Sequence, residues 1–143
     1  MLSCYLDRIQ DVKSAPYKEL VRWSGVKEGH KFSFEEFVTV ICEQTDFEQN
    51  NHWRLQYADT MSGLVKYDFI GRQENFNEDM GKVWKIIYPK SAVKDFSSIN
   101  KSPSKTNSTK SLGDYWESHL VKLVAERYEK DFSCFGYNVS ILR

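Results

Sequence analysis

Ser33 and Glu36 stand at the head of an apolar run, and their S-x-x-E spacing constrains the chain more than any other feature in it. In such a pair the serine hydroxyl accepts from the backbone N–H three residues on, while the glutamate reaches back to the serine N–H; together they mark a helix start. Behind it Phe34, Phe37, Val38, Ile41 and Cys42 fall on one helical stripe, which predicts a helix ending near Thr45 or Asp46. A helix with one apolar face needs covering, and the rest of the chain supplies candidates. Leu2, Tyr5, Leu6 and Ile9 repeat at helical spacing with no capping residue ahead of them. Pro16, suited to a first helical turn, opens a second stripe through Leu20, Val21 and Trp23 that Gly25 and Gly29 close.

Later in the chain Asn77 is placed to cap a helix carrying Met80, Val83, Trp84 and Ile87, which Pro89 stops. Ser111 and Asp114 start a last helix with Trp116, Leu120, Leu123, Val124 and Arg127 along one side, and the aromatics Phe132, Phe135 and Tyr137 are expected to dock on the core. Only Val65 to Ile70 alternates apolar and polar residues with a β-branched and aromatic bias, so it is the one expected strand. The 143 residues suffice for a single domain with a core of its own and exclude two full domains. No internal repeat or domain linker interrupts them.

Charge and cysteine usage exclude several classes of function. Twenty basic side chains balance twenty acidic ones, so no global field favours nucleic acid or an anionic membrane, and any anion site has to be local. One local candidate is the stretch from Ser97 to Ser111, which holds Lys101, Lys105 and Lys110 and no acid. Cys4, Cys42 and Cys134 lack the close spacings of zinc or redox motifs and are read as buried thiols; no metal is expected. No run is long and apolar enough for a membrane span, and the first ten residues lack the apolar centre of a signal peptide. The sequons at Asn107 and Asn138 matter only in a secretory compartment. No Gly-rich phosphate loop, H-E-x-x-H, C-x-x-C or G-x-S-x-G is found.

Three places carry more chemistry than folding alone needs. The loop N-N-H-W-R-L-Q, ending at Gln56, gathers an imidazole, an indole, a guanidinium and an amide: His52 is suited to take a proton at neutral pH, and Trp53 to wall a site or stack on a ring. The bland alternative is a surface histidine beside a buried indole. Just past the expected strand, Arg72 and Glu74 occupy the place where α/β folds hold ligands, unless they form only a solvated ion pair at a helix entry. The lysine and serine loop offers donors for a phosphate, or is simply a surface loop.

In order along the chain, L-S-C-Y-L-D-R-I, S-F-E-E-F-V, N-N-H-W-R-L-Q, Y-D-F-I-G-R-Q-E-N-F-N-E-D and L-V-A-E-R-Y-E-K-D-F-S-C-F-G-Y resemble the carbohydrate sulfotransferases of the chondroitin and dermatan 4-O type and their bacterial relatives. The resemblance runs nearly end to end, and its most specific pieces are the H-W loop and the D-F-x-x-F-G-Y ending. It implies an α/β, predominantly helical chain in a P-loop-like sulfotransferase fold. It also implies 3'-phosphoadenosine 5'-phosphosulfate as donor, and transfer of its sulfuryl group to a carbohydrate hydroxyl. In that family a loop rich in Lys, Gly and Thr cradles the phosphosulfate and an R-x-P-x-x-R-L-x-S-x-Y segment holds the 3'-phosphate. Here Ser3 and Tyr5 match the end of the second motif, and its arginines and the whole first loop would lie upstream of Met1. The expectation is therefore the C-terminal part of a sulfotransferase domain, lacking the first strand and phosphosulfate loop, weak or inactive alone, and prone to self-association through uncovered apolar surface.

On that resemblance His52 is the base for the acceptor hydroxyl, with Glu74 as second choice. Trp53, Arg54 and Gln56 position the acceptor, and Arg72 meets an acidic sugar. Ser3 donates to the 3'-phosphate, and Lys101, Ser102, Lys105, Asn107 and Ser108 close over the nucleotide. A bacterial source would make the chain cytoplasmic, an animal one with an upstream anchor would place it in the Golgi lumen. Two alternatives stand beside this reading: a noncatalytic binding or scaffold module derived from the same fold, and an unrelated helical protein, recognisable by the lack of a strand at Val65 to Ile70.

Overall fold

The computed structural model describes residues 1–99 and 112–138. The chain divides into two compact units, Met1–Val65 with Thr106–Arg143, and Lys66–Lys105.

In the first unit, α1 (Leu2–Cys4) runs on as a π-helical turn at Tyr5–Ile9, and Leu2, Tyr5 and Ile9 are its buried positions. Helix α2 (Ala15–Ser24) begins where Ser14 accepts from the Tyr17 N–H, with Pro16 in the first turn. It ends at Gly25, whose φ of 70° is the left-handed conformation that glycine adopts without steric cost. Helix α3 (Phe34–Glu43) carries the full capping box: the Ser33 hydroxyl accepts from the Glu36 N–H at 3.1 Å and the Ser33 N–H donates to Glu36 Oε2 at 2.7 Å. Those bonds hold the Glu36 carboxyl below its usual range, the Ser33 N–H most of all. Phe37, Val38 and Ile41 on its inner face are fully buried. The helix stops short of Thr45, at Glu43.

A short helix α4 (Gln56–Asp59) interrupts the loop that follows. The expected single last helix is three pieces, α6 (Leu112–Tyr115), α7 (Ser118–Arg127) and α8 (Glu129–Phe135). Helix α7 lies on α3 and contributes Leu120 and Val124 to the core; Tyr128, between α7 and α8, joins them. Aromatic rings fill much of that core, with Phe34 meeting Tyr115 at 5.4 Å and Trp116 at 5.2 Å edge to face. Of the tail aromatics, Phe132 packs against the core.

In the second unit, a 3₁₀ turn at Gln73–Asn75 leads into α5 (Phe76–Ile87). Asn77 is inside this helix and not its cap; its Oδ1 accepts from the Phe96 N–H at 2.7 Å. The returning segment covers Trp84, which donates to the Ala92 carbonyl at 2.9 Å and meets Phe96 edge to face at 5.8 Å. Ile87, expected to face a core, is 59% exposed.

Two expectations are corrected here. The described residues are predominantly helical and contain no strand, so the strand expected at Val65 to Ile70 is not formed. Alternation reports which side chains share a face, whereas a strand exists only when a neighbour satisfies its N–H and C=O groups, and no strand among the described residues offers that. Val65, Tyr67, Phe69 and Ile70 accordingly stay substantially exposed. The cysteines are not uniformly buried either: Cys4 and Cys42 are half-buried and Cys134 is exposed. No helix among the described residues is long and apolar enough to cross a membrane.

Candidate functional site

The loop between α3 and α4 is irregular, so its backbone polar groups need partners outside regular structure. It begins with a tight local turn in which Glu48 Oε2 accepts from both the N–H and the hydroxyl of Thr45, each at 2.8 Å, and these bonds lower the Glu48 pKa. Gln49 follows and is only 1% exposed. Its Nε2 donates to the Ile41 carbonyl at 2.9 Å and to the Tyr128 hydroxyl at 3.2 Å, and its Oε1 accepts from the Leu55 N–H at 3.3 Å. One buried amide thereby ties the C-terminal turn of α3, the loop and the start of α8 together.

Asn50 organises the next turn. Its side-chain oxygen accepts from the His52 N–H at 3.0 Å, its carbonyl accepts from the Trp53 and Arg54 N–H groups at 2.9 Å each, and its amide donates to Glu19 on α2. Trp53 points inward: 4% exposed, it meets Phe37 edge to face at 5.7 Å and donates from Nε1 to Gln44 Oε1 at 2.8 Å. Arg54 folds back on the loop, donating from Nε and Nη2 to the Gln49 carbonyl at 3.1 and 2.7 Å and pairing with Asp59 at 3.3 Å. Gln56 is exposed, and its N–H, with that of Tyr57, donates to the carboxylate of Asp131 on α8 at 3.0 and 2.8 Å. Burial pushes the Asp131 pKa up, against the opposing pull of those two N–H donors. The Tyr128 hydroxyl donates to the Trp53 carbonyl at 2.6 Å, and burial raises its pKa.

His52 sits at the apex of this arrangement. It is exposed, and its ring makes no hydrogen bond or ion pair among the described residues. The backbone before it is held by the half-buried Asn50 and the backbone after it by the buried Gln49 and Tyr128, while the imidazole is exposed. The loop therefore presents an imidazole whose backbone is fixed, and that is a geometry in which a ring nitrogen can accept a proton from a bound hydroxyl.

The other sequence-predicted residues divide between places. Ser3 is exposed on α1. Arg72 and Glu74 belong to the second unit, at the entry to α5. There Asp79, only 8% exposed, accepts from the Arg72 N–H at 2.9 Å and from Lys82 at 3.0 Å, which lowers its pKa. Arg72 lines a cleft of about 400 Å³ with Phe69, Phe76, Asp79 and Met80. Lys101, Ser102, Lys105, Asn107 and Ser108 lie outside the described residues. The loop thus brings His52, Trp53, Arg54 and Gln56 together, Trp53 as part of its foundation. Sequence reasoning missed Gln49, Tyr128 and Asp131; the only signal available was that E-R-Y-E-K-D belongs to the same ordered set of motifs as the H-W loop.

Comparison with known proteins bears on what this loop belongs to. The sulfotransferase family matches residues 1–138. Carbohydrate sulfotransferase 12 of Mus musculus is 29% identical over 121 residues, which cover 76% of this chain and 26% of that protein. Carbohydrate sulfotransferase 11 of Rattus norvegicus is 28% identical over 119 residues, covering 80% and 33%. The Danio rerio carbohydrate sulfotransferase 11 is 22% identical over 131 residues, covering 86% and 36%. The chain thus spans about a quarter to a third of the length of these relatives. No solved structure matches it. A match this extensive excludes the unrelated helical protein that a strandless structure alone would have suggested. The chain belongs to the sulfotransferase family.

Proposed function

We propose that this chain carries the acceptor-activating part of a carbohydrate sulfotransferase, with His52 as the base that takes the proton of the attacking sugar hydroxyl. The observation behind this reading is the exposed His52 ring, without partners among the described residues, on a loop whose backbone is fixed by buried side chains. The carbohydrate class comes from the names of the relatives, and the donor 3'-phosphoadenosine 5'-phosphosulfate from the family. The donor supplies a sulfuryl group and departs as adenosine 3',5'-bisphosphate. As the hydroxyl oxygen bonds to sulfur, a ring nitrogen of His52 accepts its proton. Arg54, held against the Gln49 carbonyl, and the exposed Gln56 flank the place where the acceptor approaches. Arg72, on its own cleft, is proposed to receive an acidic sugar, and Glu74 is the second choice for the base.

The described residues do not gather a bisphosphate cradle. Ser3 is exposed, the guanidinium of Arg8 on the same segment pairs with Asp7 at 3.0 Å, and the lysine loop lies outside the described residues. A P-loop-like fold, with Ser3 and the lysine loop in contact with the nucleotide, is proposed from the family alone. Exposed apolar side chains such as Ile70, Ile86 and Ile87 support the further reading that copies of the chain self-associate.

Calorimetric titration of adenosine 3',5'-bisphosphate into the protein, followed by transfer of labelled sulfate to a panel of glycans, tests the reading. Saturable, phosphate-dependent binding with transfer supports it. The absence of both at millimolar nucleotide favours the alternative, a noncatalytic module.

A further inference from the structure

His52 makes no side-chain bond of its own among the described residues, so the loop backbone alone limits where its ring can reach. On the C-terminal side of His52 the backbone is held from another part of the chain altogether. The Trp53 carbonyl accepts from the Tyr128 hydroxyl at 2.6 Å. The Gln56 and Tyr57 N–H groups donate to the separate oxygens of Asp131 at 3.0 and 2.8 Å. These contacts span 74 or 75 residues of sequence. Tyr128 is 7% exposed, so its bond forms out of water, and the Asp131 bonds are charge-assisted, the stronger class of hydrogen bond. Two side chains three positions apart, at the start of α8, thus grip the loop at two points just past His52.

We infer that Tyr128 and Asp131 are positioning residues for His52, a clamp through which the C-terminal motif sets the geometry of the acceptor-activating loop. The assignment of a clamp rests on the hydrogen bonds above; its catalytic consequence rests on the reading of His52 as the base. Backbone displacements of about 1 Å suffice to lower turnover by about a hundredfold, so a clamp on an otherwise unsupported ring has a catalytic effect without touching the substrate.

Native-state amide exchange tests the clamp directly, with the α3 amides from Phe37 to Ile41 as the internal reference for global stability. In Asp131→Ala the Gln56 and Tyr57 amides should exchange about tenfold faster or more, and in Tyr128→Phe the Trp53 to Leu55 amides should follow, while the α3 amides stay within about twofold. Asp131→Asn, which keeps one acceptor oxygen, should fall between and guards against an alanine variant that does not fold. Unchanged loop amides, or loop and α3 amides accelerated alike, overturn the clamp.

Turnover of the full chain then separates positioning from mere stability. Each variant should lower kcat with the donor KM unchanged within about twofold, and should cost nothing further in a His52→Ala background. Additive losses in that background overturn the positioning role. If His52→Ala keeps full turnover, the base assignment and the positioning role fall together, and the exchange data still decide whether the clamp exists.

Discussion

Replacing Gln49 by leucine removes the one amide that joins α3, the loop and Tyr128, and its cost follows from counting what is left unpaired. The Tyr128 hydroxyl keeps its bond to the Trp53 carbonyl and so remains satisfied. The Leu55 N–H loses its one partner among the described residues, and the Ile41 carbonyl, in the last turn of α3, loses its cap from Nε2. Gln49 is 1% exposed and Ile41 and Leu55 are buried, so water does not replace the amide without rearrangement. An orphaned buried backbone group costs about 1–3 kcal/mol, so the two cost about 2–6 kcal/mol, and leucine offsets part of that by removing an amide from the interior, which leaves a net loss of about 2–4 kcal/mol. For a chain of this size that corresponds to a fall in Tm of about 5–15 °C. Urea and thermal unfolding followed by tryptophan fluorescence, at low micromolar concentration to suppress association, measures it. A Gln49→Leu protein within about 2 °C of the wild type would refute the view that the loop hangs on buried hydrogen bonds.

Other consequences are testable with simple variants. Ser33→Ala breaks the capping box and should cost about 1 kcal/mol. Because the Glu36 pKa is lowered in the folded state, the stability it adds is present above its ordinary value of 4.5 and is lost as pH falls through its lowered value; the wild-type advantage over Glu36→Gln should shrink along that acid limb of urea unfolding. Asp131 has the opposite sign. Its folded pKa is raised by burial above 3.8, so the wild type should lose stability relative to Asp131→Asn as pH rises through that raised value, and a difference flat in pH would contradict this. Among the thiols, Cys134 is exposed, whereas burial raises the Cys4 pKa and pushes Cys42 up to about 12. At pH 8 a disulfide reagent should therefore label Cys134 in the native chain, and Cys4 and Cys42 only on unfolding, as peptide mapping would show.

What the sequence made legible was local. The Ser33 and Glu36 box and the Pro16 and Gly25 boundaries of α2 are written within a few residues of where they act, and the structure has them there. Val65 to Ile70 failed for the complementary reason: its alternation is local, but the neighbour a strand needs is not. The loop was visible as a departure from periodicity with a histidine in it, but its foundation was not. Trp53, legible as an aromatic beside a histidine, has its indole bonded to Gln44, and the grip of Asp131 on Gln56 and Tyr57 joins residues 75 and 74 positions apart. No spacing rule connects residues that far apart. Cys134 was misjudged because an isolated cysteine carries no periodic signal of its own exposure.

The most direct test of the acceptor-activating role is the rate of sulfate transfer to a glycan acceptor by the wild-type protein and by His52→Ala at saturating donor. Loss of the proton acceptor should lower that rate by about a hundredfold or more, with nucleotide affinity unchanged. Equal rates would remove His52 from the chemistry.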